Sequence, residues 1–194
     1  MEKGGFRQAL GACGLTARTR VGFTDEMRVG LHGMVRRVWG RRGIKVRQRV
    51  QIAYRWRYLF LAVDSQVGHL YWTWQDTLTG LNVRQVVRGL RQHTPVTAVV
   101  WDRAPGHREA GVRGLGMPLI ELPPYCPELN PAERVFEEVR RAVEGTMYPT
   151  LDDKVAAVTA VLEDLDADPD RVRRLTNWSW IDAALQQLSS DIAA

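Results

Sequence analysis

Arg57-Tyr58-Leu59-Phe60-Leu61-Ala62-Val63 runs into Asp64-Ser65-Gln66-Val67-Gly68 and then into His69-Leu70-Tyr71-Trp72-Thr73-Trp74. Two runs rich in β-branched and aromatic residues flank a short polar segment that ends in glycine, the signature of a β-hairpin. Upstream, Arg20-Val21-Gly22-Phe23-Thr24-Asp25 predicts a short strand ending at Asp25, and Arg49-Val50-Gln51-Ile52-Ala53-Tyr54 alternates as a further strand would. The first third of the chain therefore reads as an antiparallel sheet. Beyond it, Val83, Val86, Val87 and Leu90 recur at helical spacing with Asn82 as a cap, and Pro95 closes that helix. Val96-Thr97-Ala98-Val99-Val100-Trp101 then forms a short apolar run of the buried-strand type, ending at Asp102. A short helix is predicted around Arg108 to Leu115, followed by a strand at Pro118-Leu119-Ile120-Glu121-Leu122. Asn130-Pro131-Ala132-Glu133 opens a helix to about Val143, with Asn at the cap, Pro at the first position and Glu at the third. Helices over Leu151–Leu165, Pro169–Leu175 and Trp178–Leu188 complete the chain. Antiparallel strands followed by βαβ crossovers make an α/β fold: a mixed sheet with flanking helices and a helical C-terminal tail.

The whole chain has 194 residues, 45% hydrophobic and 25% charged, a balance that excludes a largely disordered protein. No run of about 18 apolar residues is present to cross a bilayer, and residues 1–20 lack the apolar centre of a signal peptide. Two cysteines, Cys13 and Cys126, lack metal-ligand spacing and exclude a disulfide scaffold or zinc ribbon; a cytoplasmic, nucleoid-associated protein is expected. Three segments are expected: a poorly defined lead-in at 1–18, a core at 19–150 and C-terminal helices packed on that core at 151–194. Charge divides unevenly. The net charge is +5, yet Arg28 to Arg57 holds ten basic residues and no acid, while the second half of the chain is acidic. A basic segment that includes Trp39 and Trp56 suits phosphate contacts with aromatic packing, and double-stranded DNA is the expected partner. Arg36, Arg37, Arg41, Arg42, Lys45, Arg47 and Arg49 are its candidate contacts.

Three acids stand at informative places: Asp25 and Asp102 at predicted strand ends, Glu133 in a first helical turn. Sites in mixed α/β sheets gather at strand ends. Three carboxylates converging there would hold two divalent ions for in-line phosphoryl displacement, and their hard oxygens select Mg²⁺ or Mn²⁺. Singly, each acid has an ordinary structural explanation as a turn or cap residue.

The sequence around these acids carries more information. Trp101-Asp102-Arg103-Ala104-Pro105-Gly106-His107 and Leu122-Pro123-Pro124-Tyr125-Cys126-Pro127-Glu128-Leu129-Asn130-Pro131-Ala132-Glu133-Arg134-Val135-Phe136 closely resemble the catalytic-core motifs of mariner-like DDE transposases, nearest to their bacterial insertion-sequence branch. Phe23-Thr24-Asp25-Glu26 fits the first-acid motif of that family less closely. The resemblance spans about Thr19 to Trp180. It implies a ribonuclease-H-like fold and a catalytic, metal-binding triad of Asp25, Asp102 and Glu133. It further implies metal-dependent DNA cleavage and strand transfer in cut-and-paste transposition, insertion at TA dinucleotides, and a homodimer that pairs two element ends. Arg103 stands where the family commonly has Asn, and Cys126 where Ser is usual. Arg103 and His107 are possible accessory residues. Only 24 residues precede Asp25, so a catalytic domain without the family's N-terminal helix-turn-helix modules is expected.

Asp64 also follows a strong strand and is the rival first acid, although its surroundings are those of a hairpin turn. Glu26 alternates away from Asp25 along a strand. Glu137 lies one turn beyond Glu133 and reads as part of a solvated helix face. His32, His69 and His93 have no metal spacing, and Trp178 and Trp180 read as packing anchors. Two other functions fit the same residues: a catalytically silent, truncated or co-opted transposase relic that binds DNA, and a different ribonuclease-H-like nuclease acting on structured or hybrid substrates.

Overall fold

The computed structural model describes residues 10–11, 13, 15, 19–33, 39–47, 50–102, 114–123 and 126–190. Five strands form one sheet: β1 (Val21–Gly30), β2 (Trp56–Asp64), β3 (His69–Gln75), β4 (Ala98–Trp101) and β5 (Leu119–Glu121), in the order β3-β2-β1-β4-β5. β1, β2 and β3 pair antiparallel, whereas β4 joins β1 and β5 joins β4 in parallel. The parallel strands are reached by crossovers, the first through α1 (Gly80–His93). A 3₁₀ turn at Pro127–Leu129 leads into α2 (Ala132–Val143), followed by α3 (Leu151–Asp166), α4 (Pro169–Thr176) and α5 (Ser179–Ser190).

The helices cover both faces of the sheet. On one face α1 buries Val83, Val87 and Leu90 against Ala62, Val99 and Trp101. On the other, α2 and α3 pack on Val29, Leu59, Leu61 and Val63, while Ile181, Ala184 and Leu185 of α5 cover Val21, Phe23, Ala98 and Val100. Ala132, Val135, Phe136, Val139 and Val143 form the buried stripe of α2. Their recurrence every three or four residues pins the helix lengthwise on the sheet, each larger side chain contributing about 1.5–3 kcal/mol by burial. Leu10 and Leu15, within the stretch read as an irregular lead-in, are buried in the cluster beneath α5. No helix among the described residues is long and apolar enough to cross a membrane.

The predicted elements need three corrections. β1 does not end at Asp25 but runs on to Gly30, pairing with β2 as far as Trp56. Met27 and Val29 continue the inward alternation past the Asp-Glu pair, and the core they enter outweighs the local polarity. Asn82 is not the cap of α1: Thr79 is, its hydroxyl accepting from the Asn82 amide, while the Asn82 side chain bonds Gln75 at the end of β3. No strand forms over residues 50–55. That segment lies beside 31–33 through two isolated backbone bonds, Leu31 N–H to the Arg55 carbonyl and Gly33 N–H to the Gln51 carbonyl. The short helix expected from Arg108 lies largely outside the described residues.

The hairpin between β2 and β3 forms as expected, and its glycine is required twice over. Gly68 has φ of +78°, and a Cβ there would come within 2.0 Å of the Pro169 carbonyl oxygen at the start of α4. Asp64 at the end of β2 is fully buried. Arg20 donates to its Oδ2 from Nε at 3.0 Å and from Nη2 at 2.7 Å, and its Oδ1 accepts from the Gln66 and Val67 amides. Every oxygen of this carboxylate is engaged in fixing the turn.

Candidate active site

Asp25 sits midway along β1, on the same alternation as Phe23 and Val29, and thus on the sheet face covered by α2 and α5. The parallel register with β4 pairs Val21 with Ala98, Gly22 with Val99 and Phe23 with Val100. Continued by two residues, it brings Asp102 level with Asp25. Neighbouring strands lie about 4.8 Å apart, and residues level with each other point to the same face. Asp102 is exposed and is the last described residue before the 103–113 segment.

Glu133 enters from above, in the first turn of α2. Asn130 holds this corner together. It is buried, and its Oδ1 accepts from the Ala132 amide at 3.2 Å, although the cap position of α2 falls on Pro131, one residue later than expected. Its Nδ2 donates to the Thr24 carbonyl at 3.0 Å and to Asp25 Oδ2 at 3.3 Å. One amide thus ties the start of the helix that carries Glu133 to the strand that carries Asp25. Glu133 Oε2 accepts from Arg140 Nη2 at 3.1 Å, two turns along the same helix.

The electrostatics are those of crowded carboxylates. Burial raises Asp25 from 3.8 to about 7; the Glu26 amide, donating to Oδ1 at 2.8 Å, pulls it down, and the charges of Glu26, Glu133 and Asp102 push it up. Asp25 therefore feels both other candidate acids. Among the described residues no three His, Cys, Asp or Glu side chains stand at metal-ligating spacing. The donors are nevertheless of the right kind: hard carboxylate oxygens, with one member whose burial and neighbours disfavour its charge until a cation arrives.

The other candidates fall elsewhere. Asp64 belongs to the hairpin turn and is not part of this cluster. Glu137 pairs with Arg134 at 2.8 Å on the exposed face of α2, and that arginine lowers its pKa. Glu138 is engaged by Arg141 and Arg171. His69 meets Asp166 at 3.2 Å, and His32 stacks on Tyr54. Trp178 and Trp180 pack against the cluster beneath α5. Arg41, Arg42, Lys45 and Arg47 are exposed in a segment whose Trp39, Ile44 and Val46 are exposed as well. Arg36, Arg37, Arg49, Arg103 and His107 lie outside the described residues. Two residues of the cluster were not singled out from sequence, Asn130 beyond its cap and Arg140. The spacing of seven between Glu133 and Arg140, two turns of one helix, is the signal that could have found the latter.

A mixed sheet of this order, with one acid on its central strand, one just past the end of the neighbouring parallel strand and one on a covering helix, defines the ribonuclease-H-like class. The chain belongs to the DDE superfamily endonuclease family, whose model matches residues 20–153. This is the superfamily inferred from the motifs. Among curated proteins none matches the chain significantly. Solved structures similar to it include the Mos1 strand transfer complex, with a TM-score of 0.64 at 14% identity, covering 98% of this chain and 62% of that one. The Mos1 mariner paired-end complex with Mn aligns with a TM-score of 0.63 at 14% identity, covering 98% of this chain and 63% of that one. The catalytic domain of Mos1 mariner transposase aligns with a TM-score of 0.59 at 14% identity, over 98% of this chain and 95% of that one. These likenesses establish the fold. The chain spans about six-tenths of the length of the Mos1 chains in the complexes.

Proposed function

We propose that this chain cleaves DNA and transfers the cut strand in cut-and-paste transposition, with Asp25, Asp102 and Glu133 holding two Mg²⁺ or Mn²⁺ ions. The observation that carries the reading is the meeting of Asp25 and Glu133 through Asn130, with Asp102 level with Asp25 on the adjacent strand. When bound, the ions would activate the attacking water or 3′-hydroxyl and stabilise the leaving oxygen. Asn130 keeps the first and third acids in register. Burial holds the Asp25 carboxyl up to about 7, and a bound cation would favour its charged form.

Double-stranded DNA is the proposed partner, as element end and as target. The exposed Arg41, Arg42, Lys45 and Arg47 supply sequence-independent phosphate contacts, and the exposed Trp39 beside them is free of the core. Pairing of two ends by a homodimer belongs to the same proposal. The Mos1 structures, described as strand transfer and paired-end complexes with Mn or Mg, support this reading by analogy of fold. The direct test offers the purified chain duplex element ends, an RNA–DNA hybrid and a hairpin, each with Mg²⁺ or Mn²⁺. Metal-dependent cleavage of the duplex end supports transposition chemistry. Preference for the hybrid or hairpin identifies a different nuclease, and binding without cleavage identifies a silent relic.

A further inference from the structure

The reading of Glu133 as a metal ligand leaves one contact unexplained, its pairing with Arg140. Both side chains are about one-third exposed, so the bond is neither sealed in the core nor lost to solvent. The guanidinium is held from two sides. Nη2 donates to Glu133 Oε2 at 3.1 Å, and Nη1 lies 3.8 Å from the Met27 sulfur. Met27 follows Asp25 by two residues on the same face of β1, so the guanidinium lies against the strand face next to the first acid. Along α2 the other arginines serve different partners: Arg134 takes Glu137, and Arg141 takes Glu138. Arg140 alone of these three turns toward the carboxylate cluster.

We propose that Arg140 is the resident counter-ion of this cluster in the metal-free protein, and that a divalent cation binds by taking Glu133 from it. Arg140 thereby sets the metal concentration at which the site fills. This inference rests on the proposed triad. A guanidinium and a divalent ion cannot use the same carboxylate oxygen at full strength, and the positive charge beside the site opposes an incoming cation. Both effects weaken metal binding, and both disappear when the guanidinium is removed. Arg140 is a positioning residue here, acting through Glu133.

The test is a Mn²⁺ titration of the full chain without DNA, followed by the electron paramagnetic resonance signal of free Mn²⁺. Arg140→Gln is expected to tighten Mn²⁺ binding by about three- to tenfold, the range open to a partly exposed ion pair. Arg140→Lys, which keeps the charge and loses the planar fork, is expected to fall between it and the wild type. Arg141→Gln removes the same charge one residue further along, from a side chain paired with Glu138, and is expected to leave binding within about twofold. Unchanged or weaker binding in Arg140→Gln overturns the inference, as does equal tightening in Arg141→Gln, which would mark a long-range charge effect. Glu133→Gln separates the two levels. If it binds Mn²⁺ as tightly as the wild type, the triad itself is wrong. If it loses binding while Arg140→Gln changes nothing, only the role of Arg140 falls.

Discussion

Replacing Asp25 with Asn should stabilise the metal-free protein above neutral pH while abolishing its metal chemistry. A carboxyl raised from 3.8 to about 7 on folding binds its proton more tightly in the folded state. Below both values, folded and unfolded chains are equally protonated and the group costs nothing. As pH rises from about 4 to 7 the unfolded chain releases a proton that the folded chain retains, so stability falls; above 7 the loss is complete at about 4 kcal/mol. Asn carries no charge and escapes this loss. It also has one oxygen where Asp25 uses two, accepting from Glu26 N–H at 2.8 Å and from Asn130 Nδ2 at 3.3 Å. Losing one acceptor costs about 1–2 kcal/mol at any pH. The net expectation is a variant about 2 kcal/mol more stable than the wild type at pH 8, and equal or less stable at pH 5. Urea unfolding in EDTA at the two pH values measures it. A difference that does not change with pH, or a variant less stable than the wild type at pH 8, refutes the assignment of Asp25 as a buried, charge-crowded carboxyl.

Asp64→Asn should act oppositely, destabilising the fold by about 3 kcal/mol at pH 7, because it strips a buried carboxylate from Arg20 and two turn amides; chemical unfolding reads the loss, and metal-dependent nicking by the folded fraction should persist. Replacing Arg41, Arg42, Lys45 and Arg47 together with Ala should weaken DNA binding without sequence preference and flatten the plot of log affinity against log salt by about 3–4; fluorescence anisotropy over a salt series checks this, and an unchanged slope removes this segment from the interface. Asn130→Ser should lower the rate of strand cleavage by about tenfold or more at saturating DNA, with DNA affinity unchanged, since Ser can still cap the helix but cannot reach both β1 acceptors.

The legible parts of this protein are those written in local words. Strand alternation, the glycine-closed hairpin and the Asn-Pro-Ala-Glu helix start name their own structures, because each is decided by contacts within a few residues. The misplaced end of β1 shows the limit of that rule. Thr24-Asp25-Glu26 reads as a strand end because two acids rarely enter a sheet, yet Met27 and Val29 beyond them find a hydrophobic face supplied by α2 and α3. Asn82 and Thr79 are both good caps, and the Asn82 side chain is used elsewhere, donating to Gln75 and accepting from the Thr77 and Thr79 hydroxyls. Asp64, the rival first acid, is engaged by Arg20, a partner 44 residues away that no local pattern announces. The candidate site divides the same way. Its acids stand in recognisable motifs, whereas the bond from Asn130 to Asp25 spans 105 residues and exists only once α2 lies across β1. Asp25 owes its raised pKa first to that burial, with the charges of Glu26, Glu133 and Asp102 adding to it.

The central claim is that three carboxylates make this chain a metal-dependent DNA-cleaving enzyme, and Asp102→Asn tests it most directly. Asp102 is exposed, and the amide of Asn keeps its shape while removing the charge proposed to hold metal. With Mg²⁺ and a duplex element end, the variant should lose strand nicking while retaining salt-sensitive DNA binding equal to that of the wild type. A variant that nicks at the wild-type rate would contradict the account.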